Sequence, residues 1–423
     1  MNRPQTLAQK IVARAAGRAH VDVGEVVTCA IDLAMMHDSG GPRRLQPMLK
    51  RLGAKIWDPD KVVVVSDHYV PAVDAESASI LKLTREFVRD HKIERFHDMQ
   101  GICHVVLPEN GHLRPGLFVV GGDSHSPTGG AFGCFMFGVG ATEMCGAVVT
   151  GEIWLKTPAT ILLNWHGKLG PMVSAKDMML ALCKRLGMGG AEYQVVQYAG
   201  DAISGLPMFE RMTLCNMAAE LGAQVGLIAP DTVTEYFLAE RGVTNIDTAR
   251  WQGDAGAEYL RVENFDASDL APQVAAPHSP ANSGPAAEQR GVAIHQAYIG
   301  ACTGAKINDL RMAAAVLRGK RVAPNVRLLV APATARTTAE AAADGTLAAL
   351  AEAGAILMPS GCGACAGYGA GVLAEDEVCI ASTARNFKGR MGASSSKVYL
   401  GSPYTVAAAA IAGMIVDPRE VAS

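Results

Sequence analysis

Two apolar, strand-like runs in this sequence end abruptly in aspartate and histidine. The first, residues 62–65, consists of four consecutive valines and leads into Asp67-His68. The second, residues 117–120, leads through two glycines into Asp123-Ser124-His125. Continuous apolar runs of this kind are typical of strands buried on both faces, which occur mainly in parallel sheets covered by helices. The pattern therefore predicts an α/β fold with polar side chains gathered at the carboxyl ends of strands.

The alternation of strand and helix continues along the rest of the chain. From residue 292 onward, apolar strand-like segments alternate with helical ones, which is the β-α-β rhythm of a mainly parallel sheet. Residues 266–291 are instead rich in proline, alanine and serine and show little periodicity, which predicts a linker. We therefore expect three α/β domains, spanning residues 1–158, 159–265 and 292–423.

Composition limits the classes of protein and partner that fit this chain. Its 423 residues are 49% hydrophobic, enough for a large core, and its formal net charge is −3. Because lysine and arginine form no long run, we expect no nucleic-acid partner. The sequence shows neither a membrane-span pattern nor a signal-peptide core, so we expect no membrane association and a cytoplasmic location. In that compartment the ten cysteines are interpreted as thiols, core residues and metal ligands rather than disulfides.

A Cys-x-x-Cys pair, Cys362 and Cys365, lies among small residues after the apolar run 355–358. A third cysteine, Cys302, also follows an apolar run, at the start of a predicted helix. A structural zinc site would need a fourth protein ligand, and a redox dithiol would use the pair alone. Three thiolates holding a cubane iron-sulfur cluster would leave one iron open as a Lewis acid for a hydroxyl and a carboxylate of a substrate. This last interpretation accounts for the largest number of polar residues.

Arginine and histidine residues near the predicted strand ends could serve such a centre. Arg385 and Arg390 follow another strand, where guanidinium groups could pair bidentately with carboxylates, although arginines on a loop can equally be surface charges. The two Asp-His motifs would supply oriented imidazoles for proton transfer. His104 fits a core histidine equally well, and His37 lies in a polar loop that also fits a capped turn.

Six short motifs, spread in order over essentially the whole chain, give this sequence its resemblance to a known family. They are Met36-His37-Asp38, Ser66-Asp67-His68, Gly122-Asp123-Ser124-His125, Ile299-Gly300-Ala301-Cys302-Thr303, Gly361-Cys362-Gly363-Ala364-Cys365 and Arg385-Asn386-Phe387-Lys388-Gly389-Arg390-Met391-Gly392. The set resembles the aconitase superfamily and, within it, the large subunits of 3-isopropylmalate dehydratase and homoaconitase.

The resemblance implies three α/β domains around a 4Fe-4S cluster, without the mobile fourth domain, and an enzyme of the hydro-lyase type. The implied reaction removes and re-adds water stereospecifically on a hydroxy-di- or tricarboxylic acid. The implied cluster ligands are Cys302, Cys362 and Cys365, and the implied holders of substrate carboxylates are Arg385 and Arg390. The implied acid-base and hydrogen-bonding groups are Asp67, His68, His104, Asp123 and His125, with His37 and Ser124 nearby.

The resemblance also implies a partner chain. In this family the catalytic base is a serine on a mobile fourth domain, which in two-chain members is a separate small subunit. The sequence ends at Ser423, shortly after Pro418, without room for that domain. We therefore expect a small subunit that carries the swivel domain and the catalytic serine, and little or no hydratase activity from this chain alone.

Three positions depart from the family pattern. Gly304 and Ala384 stand where relatives usually carry asparagine, and Gln197 stands where a glutamate near the cluster is usual. Each change removes a polar or ionisable group that could hydrogen-bond the iron-bound water or the substrate. The departures favour, as the alternative to 3-isopropylmalate, a smaller diacid such as 2-methylmalate, malate, citraconate or maleate.

Two other classes of function compete with an enzyme. Some aconitase relatives also bind RNA, so a cluster-containing binding or regulatory protein is one alternative, against which the slightly acidic charge balance argues. A degenerate, cluster-free scaffold subunit is the other, and the presence of all three candidate ligand cysteines argues against it.

Overall fold

A computed structural model describes residues 3–421, whose helices and strands build an α/β fold around four sheets. Two sheets are wholly parallel, one is mixed, and one is a two-stranded antiparallel ribbon. The predicted α/β class is therefore confirmed. Short 3-10 helices lie at Pro59–Lys61, Ser126–Phe132, Ala218–Leu221, Ala249–Trp251, Ala286–Gln289 and Gly363–Ala366.

The N-terminal part of the chain forms a five-stranded sheet, its helices and the ribbon. The elements are α1 (Leu7–Ala15), β1 (Val26–Ala30), β2 (Leu33–His37), α2 (Pro42–Leu52), β3 (Val62–Ser66), α3 (Ala75–Asp90), β4 (Arg95–Asp98), α4 (Cys103–Glu109), β5 (Phe118–Gly121), β6 (Phe135–Gly138), α5 (Ala141–Thr150) and β7 (Glu152–Lys156). The sheet has the order β4-β3-β2-β5-β6 with every pair parallel, and β1 and β7 form the ribbon. In β3, Val62 and Val64 pack into one core and Val63 and Val65 into another, which is why an uninterrupted valine run suits this strand.

The middle part forms a second, four-stranded parallel sheet in the order β10-β9-β8-β11. Its elements are β8 (Thr160–His166), α6 (Ala175–Leu186), β9 (Val195–Ala199), α7 (Asp201–Ser204), α8 (Met208–Met217), β10 (Val225–Ile228), α9 (Thr232–Ala239) and β11 (Arg261–Asp266). The 3-10 helix Ser126–Phe132 packs on β10 so closely that a Cβ on Gly130 would stand 1.6 Å from Gly226 O. Glycine at this position therefore lets the segment after His125 lie directly against the second sheet.

The C-terminal part forms a seven-stranded mixed sheet. Its elements are β12 (Gln273–Ala275), β13 (Ser283–Pro285), β14 (Gln296–Ile299), α10 (Ile307–Leu317), β15 (Arg327–Val330), α11 (Ala335–Ala343), α12 (Thr346–Glu352), β16 (Ile356–Leu357), β17 (Val378–Ala381), β18 (Lys397–Gly401), α13 (Pro403–Ala412) and α14 (Pro418–Val421). The order is β13-β12-β18-β17-β14-β15-β16, and the five strands from β18 to β16 are parallel.

Residues 266–291, predicted as a linker, are packed into this third sheet. β12 pairs antiparallel with both β18 and β13, and all three residues of β12 are buried. A strand of three residues is too short for an alternating pattern to stand out among prolines and alanines. The segment is therefore part of the sheet rather than a free connection, whereas the predicted domain boundaries stay a prediction.

The first and third sheets are joined at the edges where the predicted site residues lie. Cys362 N donates to Asp67 O at 2.9 Å, and an antiparallel bridge joins Gly101 to Thr334. Buried side chains from all three parts of the chain form one continuous hydrophobic core beneath this junction. Within residues 3–421, no helix is both long enough and apolar enough to cross a membrane.

Candidate active site

Strands of the first and third sheets direct their carboxyl ends into one cavity. The cavity wall contains eight of the predicted site residues, which are His68, His104, Asp123, His125, Cys302, Cys362, Cys365 and Arg390. The other four, which are His37, Asp67, Ser124 and Arg385, join this set through hydrogen bonds, ring stacking or ion pairs. All twelve predicted side chains therefore lie in one connected site, and their individual roles stay predictions.

Three free thiols face the cavity from two loops. Cys302 follows β14. After β16, Cys362 directly precedes the 3-10 helix Gly363–Ala366, and Cys365 lies within it. None of the three forms a disulfide in the described part of the chain. Gly361 has φ +154°, and a Cβ there would stand 3.0 Å from Asp67 O. Glycine at this position therefore lets the cysteine loop approach the first sheet.

The surroundings of the thiols fit a metal centre. Burial raises the pKa of the Cys302 thiol to about 12 and that of Cys362 well above its ordinary value, so the unliganded protein keeps both protonated. Asn216 Nδ2 donates to Cys302 Sγ at 3.1 Å. Arg390 lies beside Cys365, and its Nε is buried without a hydrogen-bond partner among residues 3–421. Cationic iron would offset the cost of deprotonating the thiols, and the free Arg390 donor is available to an anionic ligand.

A first cluster of acid and imidazole groups, the His68 group, consists of His37, Asp38, Asp67 and His68. Asp67 Oδ1 accepts from His68 Nδ1 at 2.6 Å, and Asp67 Oδ2 accepts from the backbone of Cys103 at 2.8 Å. The Asp38 carboxylate accepts backbone N–H bonds from three consecutive residues, 67–69, at 2.9–3.4 Å. The His37 ring stacks on that of His68 with centroids 4.1 Å apart. Backbone donors thus fix both carboxylates, and through them the imidazole of His68.

The two histidines of the His68 group have pKa values shifted in opposite directions. Burial disfavours the charged form of His68, but the adjacent Asp67 carboxylate outweighs it and raises the pKa of His68 to about 9. Against the same burial penalty, His68 lowers the pKa of Asp67 to about 2. Burial, followed by repulsion from His68, lowers the pKa of His37 to about 4. At neutral pH the group therefore holds an imidazolium-carboxylate pair beside a neutral imidazole.

A second cluster, the His125 group, consists of His104, Asp123, His125, Glu220 and Arg385. Asp123 Oδ1 accepts from His104 Nε2 and from the backbone of His125, both at 2.7 Å. Glu220 Oε1 accepts from His125 Nε2 at 3.2 Å and from Arg385 Nε at 2.8 Å. Although burial opposes them, the two histidines hold the pKa of Asp123 well below its usual range. The group therefore contains two carboxylates that orient imidazoles and one guanidinium.

Glu220 is the main site residue that sequence reasoning missed. It lies in the 3-10 helix Ala218–Leu221 and is almost completely buried. Despite burial, hydrogen bonding to His125 lowers its pKa, so it is an anion at neutral pH. A glutamate among apolar residues near the C-terminal end of a helical segment, where the dipole disfavours an anion, is the signal that could have found it. Gln197, by contrast, lies in β9, outside the cavity wall, and its Oε1 is buried without a hydrogen-bond partner among residues 3–421.

The other two departures from the family pattern lie at the site. Ala384 is buried in the cavity wall and presents a methyl group there. Gly304 packs against Ser382, where a Cβ would stand 2.1 Å from Ser382 Oγ. Since Ser382 Oγ also accepts from the backbone of Gly300 at 3.1 Å, a side chain at position 304 would require this loop to rearrange. Gly304 and Ser382 thus form a matched pair.

An open cleft of about 380 Å³ leads from solvent to the His125 group. Asp123, Ser124 and Arg385 lie in its wall, and Arg385 Nη1 donates to Ser124 Oγ at 2.9 Å. Asp123 therefore lines both the cleft and the inner cavity, and Arg385 the cleft, whereas the thiols and His68 line only the inner cavity.

Comparisons with known proteins show which family this chain belongs to. The sequence model of the aconitase family (aconitate hydratase) matches residues 9–290 and 281–413. The chain is 44% identical to 3-isopropylmalate dehydratase large subunit 1 of Methanopyrus kandleri, covering 98% of this chain and 99% of that protein. It is 41% identical to the methanogen homoaconitase large subunit of Methanocaldococcus jannaschii, covering 97% of this chain and 99% of that protein. The words "large subunit" imply that these relatives have a separate small subunit.

A solved structure supports the fold. Aconitase X from Thermococcus kodakaraensis in its holo form aligns with a TM-score of 0.50 at 14% identity, over 85% of this chain and 84% of that one. At an identity this low, the structural match shows only that the two proteins share a fold. The family is shown by the sequence matches, which extend over nearly the whole chain. This chain therefore belongs to the aconitase family and is a hydro-lyase of its large-subunit type.

Proposed function

We propose that this chain is the cluster-bearing catalytic subunit of a two-chain dehydratase that acts on a hydroxy-di- or tricarboxylic acid. The observation that carries the proposal is one cavity that receives three free thiols, two of them buried, two Asp–His groups and an arginine with a free buried donor. 3-Isopropylmalate is the first candidate substrate, because the names of several relatives at 40–44% identity specify that dehydratase.

The proposed cofactor is a 4Fe-4S cluster held by Cys302, Cys362 and Cys365. Three thiols would leave a cubane one ligand short, and the same cavity wall carries anionic and imidazole groups. When bound, the cluster would supply a Lewis-acidic iron for the hydroxyl that leaves. A mononuclear zinc site fits less well, because it would need a fourth ligand from outside this thiol set.

The chain's own residues then bind the substrate and move protons. Arg385 and Arg390 are proposed to hold substrate carboxylates, since a guanidinium pairs bidentately with a carboxylate. His68 is protonated at neutral pH and uses Nδ1 for Asp67, so its Nε2 remains a proton donor for the leaving hydroxyl. His104 and His125, oriented by Asp123, complete the proton-transfer and hydrogen-bonding groups.

The base that removes the carbon-bound proton is proposed to be a serine on the swivel domain of a separate small subunit. The open cleft beside Arg385 and Ser124 leaves space for a second chain to reach the site. We expect little or no turnover from the large chain alone, and full turnover by the purified large chain with a reconstituted cluster would overturn this part of the proposal.

The decisive experiment is anaerobic co-expression with a small subunit of this family. Purified complex is assayed against a panel of hydroxy-diacids by the rise in alkene absorbance, and about four irons per chain are expected. Turnover of 3-isopropylmalate supports the first candidate. Preference for 2-methylmalate, malate, citraconate or maleate would support the smaller-diacid candidate. Lack of turnover on every acid by an iron-loaded complex would overturn the enzymatic proposal.

A cysteine substitution tests the ligand assignment. Cys362→Ser should abolish both cluster and activity, because serine replaces a thiolate ligand. Cys145→Ser, in α5 away from the cavity, is the matched control and should retain both. Activity that survives in Cys362→Ser without iron would refute the cluster mechanism.

A further inference from the structure

Lys176 is a buried lysine that reaches from the second sheet's layer into the loops of the third. It is the second residue of α6, and only 1% of its surface is exposed. Its Nζ donates to the backbone oxygens of Ser382 and Thr383, the former at 3.2 Å, and lies 3.5 Å from Thr303 Oγ1. Thr303 directly follows the candidate ligand Cys302, and Thr383 precedes Arg385 by two residues. One ammonium group therefore joins the loop of a thiol ligand to the loop of a substrate-binding arginine.

The charge of Lys176 is not compensated by a carboxylate. Its hydrogen-bond acceptors are all neutral, and within residues 3–421 no carboxylate oxygen lies within 4.0 Å of its Nζ. A second buried lysine, Lys306, gives the contrast, because its Nζ pairs with Asp309 Oδ2 at 2.7 Å and also donates to Cys302 O. Burying an unpaired charge is costly, so a protein retains one mainly where a charge of the opposite sign will face it.

The candidate source of that opposite charge is the thiol set. Burial lowers the pKa of Lys176 to about 8, and negative charge on Cys302 and Cys365 acts in the opposite direction. Both sulfurs would be thiolates once they ligate iron. Glu220 acts on Lys176 in the same direction but is already paired with His125 and Arg385.

We propose that Lys176 is a positioning residue that provides the counter-charge for the thiolate-ligated centre and fixes the Cys302 loop against the Arg385 loop. This inference rests on the proposed function, since it assumes that the three thiols hold an iron-sulfur cluster. A fixed positive charge favours the more reduced, more negative state of a cluster and therefore raises its reduction potential. Fixing the Arg385 loop keeps the guanidinium in place for a substrate carboxylate.

The test measures the reduction potential of the reconstituted cluster in the two-chain complex by an anaerobic titration followed by electron paramagnetic resonance. Lys176→Met removes the charge and the hydrogen bonds, Lys176→Gln removes the charge but keeps an N–H donor, and Lys176→Arg retains the charge. Lys184→Met, exposed on the same helix, is the matched control. We expect the potential to shift to more negative values in the Met and Gln variants, and to stay near the wild-type value in the Arg and control variants.

The outcomes separate this inference from the proposed function. If wild-type complex takes up no cluster, the proposed function fails and this inference fails with it. If wild-type and Lys176→Gln complexes hold equal amounts of cluster at the same potential, only the counter-charge role of Lys176 is overturned. Should Lys176→Met fail to fold, the Gln variant decides the question. An increased KM in both neutral variants, restored by Lys176→Arg, would support the link to the Arg385 loop.

Discussion

The two acid-imidazole groups of the site are built in different ways. The His68 group comes from the ends of two adjacent strands, β2 and β3, and backbone N–H groups hold its carboxylates. In the His125 group, Glu220 comes from the second sheet's layer and is 95 residues away in sequence from its partner His125. Arg385 comes from the third sheet's layer and is 261 residues away from its partner Ser124. The first is fully assembled by one sheet, whereas the second exists only when three parts of the chain pack together.

Parts of the two groups also differ in burial. Asp67 is fully buried and the His68 side chain is 10% exposed, whereas Asp123 and Arg385, which line the open cleft, are 19% and 17% exposed. The other side chains of the His125 group are buried. A deep, backbone-fixed ion pair is suited to keep one protonation state throughout a reaction. A group at the entrance, held mainly by side chains, is suited to receive and release a charged substrate. We therefore expect the His68 group to supply the proton for the leaving hydroxyl, and Arg385 of the His125 group, with Arg390, to bind substrate carboxylates.

The largest effect is expected when the charge of the His68 group is removed. Asp67→Asn keeps the shape but loses the carboxylate that holds His68 protonated, so kcat of the two-chain complex should fall about 10²–10⁴-fold, the range usual for a general acid. Initial rates normalised to iron content check this. Asp98→Asn, at the end of β4 in the same sheet, where Asp98 pairs with Arg85 outside the cavity wall, is the control and should remain close to wild type. A loss of less than tenfold would contradict the assignment of proton supply to His68.

The next largest effect is expected at Glu220, which joins Arg385 to His125 in the His125 group. Glu220→Gln leaves Arg385 and His125 without their shared anion, so KM should rise about 10–100-fold while kcat changes less, as when a supporting contact to a site residue is lost. Steady-state kinetics of the complex separate the two parameters. Glu235→Gln on α9, outside the site, serves as the control. If kcat fell and KM did not change, the division of roles between the two groups would be wrong.

A smaller effect concerns stability and pH. The pKa of His68 is raised above its unfolded value of about 6.5, so the stabilisation from its pair with Asp67 is complete below about pH 6.5 and is lost as the pH rises through about 9. We expect the unfolding free energy of the cluster-free chain to exceed that of Asp67→Asn by on the order of 2 kcal/mol at pH 6. The difference should shrink by pH 10, and urea unfolding of both chains across this range measures it. A difference independent of pH would show that His68 gains no stabilising proton from this pair.

The same contrast explains what the sequence could predict. The α/β class and the Asp-His motifs at strand ends follow from local patterns, since a valine run buried on both faces determines where β3 ends and where Asp67 lies. The convergence of Cys302 with the later cysteine pair follows from parallel strands sharing one edge. These parts of the site depend on where parallel strands end, and the alternation of apolar strands with helices leaves a signal for that in the sequence.

Glu220 could not be placed in this way, because its function depends on packing between layers that leaves no periodic signal in one sequence. Gln197, where the resemblance leads us to expect a glutamate near the cluster, lies in β9 outside the cavity wall, so its distance from the thiols could not be predicted from one sequence either. In the sequence, Gly304 suggests only the loss of a polar side chain. In the fold, the absence of that side chain leaves the space that Ser382 occupies. The two strands at 273–275 and 283–285 were missed because each has only three residues.

The smallest effect should come from Ser124, whose Oγ accepts a bond from Arg385 Nη1 while Glu220 still holds Nε of the same guanidinium. One hydrogen bond of this kind contributes about 1 kcal/mol, so Ser124→Ala should raise KM roughly fivefold with little change in kcat. Because both residues act on one side chain, the double variant with Glu220→Gln should deviate from additivity. Independent, additive effects on KM in the four-variant cycle would show that Ser124 and Glu220 do not act through Arg385. The entrance group would then be a set of separate contacts rather than one unit.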